Sequence, residues 1–162
     1  MKKIIFIIFI LFVSCGSKDI TLTSQSNDYK ILSAYNELKK IYKSPIIVSD
    51  TILNIDIADF SHKIAKNNTD TGKVLDSLIN IQDNYTNYKY PVKNILKNLN
   101  QSGKFKFYFS KPMDDHIMVE VFKTEKNQSH EELTFFGVSD IFLFYFKEKN
   151  IINKYQIEMN YN

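Results

Sequence analysis

The chain has 162 residues and a formal charge of +3, with 44% hydrophobic and 24% charged residues, enough for one domain with a real core and too few for two comfortable ones. All 21 basic residues are lysine, only four residues are glycine and one is cysteine. That composition excludes arginine clamps for phosphate or guanine, Walker and dinucleotide loops, and any intrachain disulfide.

Lys2 and Lys3 precede an apolar run from Ile4 to Val13, followed by the small residue Ser14 and by Cys15. The run has the length of a signal-peptide core, about half the ~20 residues that span a bilayer. Cleavage before Cys15 would remove both lysines, lowering the formal charge from +3 to +1 and arguing against nucleic acid as a partner. Phe12-Val13-Ser14-Cys15 resembles the lipobox of bacterial lipoproteins, with Phe12 where leucine is usual. The resemblance implies a signal peptide over 1–14, diacylglycerol and palmitate-type chains on Cys15, and a protein held at the cell membrane or outer membrane, facing the periplasm or the surface. Acylated Cys15 would make membrane lipid its first partner.

Residues 15–27 are polar and read as a flexible tether, leaving 28–162 as a single domain. Within the tether, Ser17-Lys18-Asp19 is similar to signals that send Bacteroidetes lipoproteins to the outer leaflet. From Asp28 to Lys43, Ile31, Leu32, Tyr35, Leu38 and Tyr42 fall on one helical face, and Ser44-Pro45 ends the pattern. Ile46-Ile47-Val48 and the alternation Leu53, Ile55, Ile57 predict short extended segments, and a short helix is expected from Asp59 to Lys66. A second helix is expected over 71–82 and a third after Pro91.

At Gly103 the period changes from 3.6 to 2. Phe105, Phe107 and Phe109, then Ile117, Val119 and Val121 across the turn Ser110 to Asp115, predict a hairpin. Further strands are expected over Leu133 to Gly137, Ile141 to Lys147 and Ile152 to Tyr161. In the last, Ile151, Asn153, Tyr155, Ile157, Met159 and Tyr161 should face one way and Lys154, Gln156 and Glu158 the other. The fold class is α+β, with N-terminal helices packed on a C-terminal antiparallel β-meander of about four to five strands. Phe109-Ser110-Lys111-Pro112 with its hairpin, Gly137 and Glu148-Lys149-Asn150 resemble a group of Bacteroidetes lipoproteins over roughly residues 105 to 157. This chain lacks the cysteine pair and late tryptophan found in many of them, and the resemblance implies a fold without an activity.

His62, His116 and His130 each have acids nearby, yet a meander should place His116 and His130 at opposite ends, about 20 Å apart, so no metal site and no cofactor is expected. Ser110 reads as a turn former and no Gly-x-Ser-x-Gly elbow occurs. Tyr85, Tyr88 and Tyr90, interleaved with Asn84, Asn87 and Lys89, form the best local candidate for a contact surface. The reading is a membrane-anchored, non-catalytic binding or accessory module of the cell envelope with a protein partner, of which an immunity or inhibitor lipoprotein is one form. The alternative is an envelope hydrolase using scattered Asp, Glu and His.

Overall fold

The computed structural model describes residues 21–65, 92–96 and 99–162. Cys15, the expected helix over 71–82 and the tyrosine cluster Tyr85, Tyr88 and Tyr90 lie outside the described residues. The elements in chain order are α1 (Thr21–Ile41), β1 (Ile46–Val48), a 3₁₀ turn (Ile57–Phe60), α2 (Ser61–Ala65), α3 (Val92–Ile95), β2 (Phe105–Phe109), β3 (His116–Lys123), α4 (His130–Thr134), β4 (Val138–Lys147) and β5 (Asn150–Asn160).

The strands form one sheet in the order β1-β2-β3-β4-β5. The meander of β2 to β5 is antiparallel, and β1 adds to it in parallel, pairing Ile46 with Phe105 and Val48 with Phe107. The sheet is therefore mixed and the fold α+β. Gly103 makes the parallel entry possible, because a Cβ there would lie 2.3 Å from the Pro45 carbonyl oxygen.

Alternation divides the side chains between the two faces. Phe107, Phe109, Val119, Val121, Phe142, Phe144 and Phe146 share one buried cluster with Ile31, Ala34 and Leu38 of α1 and Val92 of α3. Each such buried Phe, Val, Ile or Leu side chain stabilises by about 1.5–3 kcal/mol relative to exposure. On the other face Met118, Ile141 and Leu143 meet Ile57, Phe60 and Ile64, and Tyr108 and Phe122 meet Leu133 of α4. The fully apolar run Phe142 to Phe146 is thus covered on both sides, as its lack of polar alternation predicts.

Three expectations change. Helix α1 begins at Thr21, about two turns upstream of Asp28. The strand expected over Leu133 to Gly137 is replaced by α4, because Ser129 and Glu132 form a reciprocal capping box: the Glu132 N–H donates to Ser129 Oγ (3.2 Å) and the Ser129 N–H to Glu132 Oε2 (2.7 Å). In β5, Tyr145 pairs with Asn153 while Phe146 pairs with Ile151, so Ile152 is an extra, bulged residue. The bulge turns Ile151 toward the α1 face, while Tyr155, Ile157 and Met159 pack on the other. Lys154, Gln156 and Glu158 are exposed, as expected of a strand with one wet face.

Lacking arginine, the chain ties its loops with lysine. Lys30 in α1 is 1% exposed, and its ammonium donates to Asn27 Oδ1 (2.8 Å), to the Asp114 carbonyl (2.8 Å) and to the Met113 carbonyl. Burial pulls its pKa down, while Asp114 and Asp115 hold it up. Lys106 does the same for the loop after β3, donating to Asn127 Oδ1 and the Gln128 carbonyl.

Candidate functional site

Glu120 lies in the middle of β3 and is 2% exposed. A bare carboxylate in that position would be costly, and three donors remove the cost. Ser139 Oγ, at the start of β4, donates to Glu120 Oε1 at 2.6 Å, and the Tyr161 hydroxyl donates to the same oxygen. His130 Nε2, at the first turn of α4, lies 2.9 Å from Glu120 Oε2 and carries the proton of that bond, because an ionised carboxylate only accepts. The walls are aromatic: Tyr108 and Phe122 meet the His130 ring edge to face at centroid distances of 5.0 and 5.5 Å, and Phe122 stacks with Tyr161 at 6.0 Å. Burial and the nearby Glu120 and Glu132 charges push the Tyr108 phenol up to about 12; burial and the bond to Glu120 push Tyr161 higher still.

The three donors come from the three segments that surround one turn. Helix α4 precedes residues 135–137, Ser139 follows them, and Tyr161 returns beside them, its N–H bonded to the Gly137 carbonyl at 3.0 Å. At this turn Phe135 and Phe136 stand 77% and 73% exposed, their rings edge to face at 4.7 Å, with Val138 exposed beside them. Phe136 adopts φ 55°, a left-handed conformation that costs a non-glycine residue about 1 kcal/mol. Gly137 follows because a Cβ there would lie 1.7 Å from the Leu133 carbonyl oxygen. The result is two adjacent aromatic rings, left in water on a turn whose flanks are fixed by a buried ionic network.

Serine, histidine and glutamate meet here, but not in the order of a nucleophile, its base and an orienting acid. The Ser139 proton is directed to Glu120 and Ser139 is itself buried, so the network works as a clamp. His130 reaches back over Glu120 and Phe122, four to six residues along β3 from His116, so the two histidines stand at separate places along the strand. His116 is buried beside Asp115 (2.7 Å) and Tyr145, and His62 is exposed on α2. Among the described residues no three His, Cys, Asp or Glu side chains converge to hold a metal ion. Ser110 is a turn residue, its Oγ accepting the Met118 N–H at 2.9 Å across the hairpin.

Neither Glu120 nor the Phe135–Phe136 pair stood out in the sequence. The signals were present: an acid between Met118 and Phe122 on a strand whose two faces are both apolar, and two aromatics just beyond a Ser-x-x-Glu helix start. Among the described residues no helix is long and apolar enough to cross a membrane. Comparison of the chain with protein-family models, with curated proteins and with solved structures finds no match.

Proposed function

We propose that the protein is a lipoprotein of the cell envelope, held by acylated Cys15 and acting without catalysis as a binding module whose contact residues are Phe135, Phe136 and Val138. The observation that supports this reading is the exposed aromatic pair on a clamped turn. Exposed rings cost solvation, and a fixed turn loses little entropy on association, so the arrangement suits a protein partner with an apolar recess. Aromatic residues are enriched in the cores of such interfaces.

The tether reading is compatible with this placement. Tyr29, in the first half of α1, donates to the Glu148 carbonyl at one end of the sheet, and Tyr42, just beyond its last turn, donates to Asp140 at the other. An anchor ahead of Thr21 therefore leaves from the end opposite Phe135. An immunity or inhibitor lipoprotein needs only such a complementary surface.

Crosslinking in intact producing cells, with purification through a C-terminal tag, tests the reading against a Cys15→Ala control. One stoichiometric protein captured with the lipidated chain and lost in the control is expected. Equal capture by both chains, or no protein in either, overturns it.

A further inference from the structure

The second interaction surface is the outer edge of β5. Among the described residues no strand pairs with that edge, which runs for 11 residues from Asn150 to Asn160. Its backbone polarity can be assigned. The Tyr161 N–H bonds back to Gly137 on the β4 side, whereas the Gln156 carbonyl accepts the Lys63 ammonium from outside. Since the direction alternates along a strand, the N–H and C=O groups of Lys154, Gln156 and Glu158 point outward.

We propose that this edge pairs antiparallel with the same edge of a second copy, about a two-fold axis through Gln156. In that register Lys154 of each copy lies opposite Glu158 of the other, giving two ion pairs, and Tyr155 lies opposite Ile157, giving two aromatic to β-branched pairs on the opposite face. Moving the axis by one residue in either direction loses both kinds of pair. The charge pattern also answers a local imbalance: Glu158 sits directly across from Asp140 in β4, two acids side by side without an ion pair among the described residues, and the incoming Lys154 supplies a cation. Lys154 and Glu158 are exposed and have no ion pair among the described residues. Lys63 now covers the Gln156 carbonyl, so it guards the edge and is displaced on pairing. The inference stands apart from the Phe135–Phe136 contact and would make that contact bivalent.

Sedimentation velocity on the full chain extracted in detergent tests it. The unmodified chain is expected to dimerise, K154E to weaken the dimer about tenfold, the double reversal K154E/E158K to restore it, and K63A to strengthen it. Oxidation adds a register test: Gln156→Cys should form an intermolecular disulfide, because hydrogen-bonded antiparallel partners sit about 5.5 Å apart at Cα, whereas Lys154→Cys alone should not. A monomer at about 100 µM, well above the range of micromolar association, overturns the proposal. So does a K154E effect that E158K does not rescue, or a disulfide from Lys154→Cys without one from Gln156→Cys.

Discussion

Where β2 turns into β3, a buried ammonium gathers oxygens: Lys30 takes Asn27 and the carbonyls of Met113 and Asp114. Toward the other end of the sheet a buried carboxylate gathers donors: Glu120 takes Ser139, Tyr161 and His130. The two hubs teach different lessons about specificity. Any residues could supply the turn carbonyls that Lys30 binds, so it fixes a backbone path. Glu120 requires three particular side chains from three separate segments, so it fixes a constellation, and the turn bearing Phe135 and Phe136 lies between them.

The largest effect is expected at the carboxylate. Glu120→Ala leaves Ser139, Tyr161 and His130 without their shared acceptor in a buried site, and a loss of about 3–5 kcal/mol is expected in urea unfolding. Glu120→Gln retains the shape and one acceptor oxygen and should lose clearly less. Lys30→Met keeps the packing of the stem and leaves carbonyls in a turn partly open to water, so about 1–2 kcal/mol is expected. Equal losses at the two hubs would contradict the distinction between them.

Alkaline titration sharpens the same contrast. Tyr108 and Tyr145 are held up to about 12, and Tyr42 and Tyr161 above that, by burial first and by carboxylate neighbours second. Below about pH 10 these phenols are protonated in both folded and unfolded chains, and their contribution is complete. Above it the unfolded chain releases protons first, so stability should fall from about pH 10 through the folded values near 12. Lys30 and Lys106, shifted down by burial, act with the opposite sign below their ordinary pKa, and Lys30→Met should remove part of that offset. Absorbance of ionised tyrosine, followed beside circular dichroism, reads both effects; phenols that all titrate near 10 without unfolding would contradict the buried environments.

The smallest effect on stability is expected at the exposed rings. Phe135→Ser should change unfolding free energy by less than about 0.5 kcal/mol, and Phe136→Gly should stabilise by up to about 1 kcal/mol by relieving the positive φ. Either should remove partner capture, which separates binding from folding. A large destabilisation by Phe135→Ser would mean that the ring belongs to the core.

Much of the fold was legible because period alone carries it. Phe105, Phe107 and Phe109 and the continuous run Phe142 to Phe146 announce strands, and Ile31 and Leu38 announce a helical stripe. The parallel pairing of β1 was not legible, since three apolar residues do not encode a partner, nor was the bulge at Ile152, which depends on the register with β4. Helix α4 was legible in its capping box, but Leu133 to Gly137 also satisfied a strand pattern, and local hydrogen bonding at Ser129 decided the outcome. The candidate site was the least legible part. Glu120 and Tyr161 are 41 residues apart in sequence, and only folding brings them to one carboxylate.

The most direct test places a photo-crosslinking side chain at Phe135 of the full chain in producing cells. A discrete protein adduct is expected, and Phe136→Gly should abolish it while the chain stays folded. Adducts to lipid alone, or a protein adduct unchanged by Phe136→Gly, would contradict a clamped aromatic turn as the protein-binding surface.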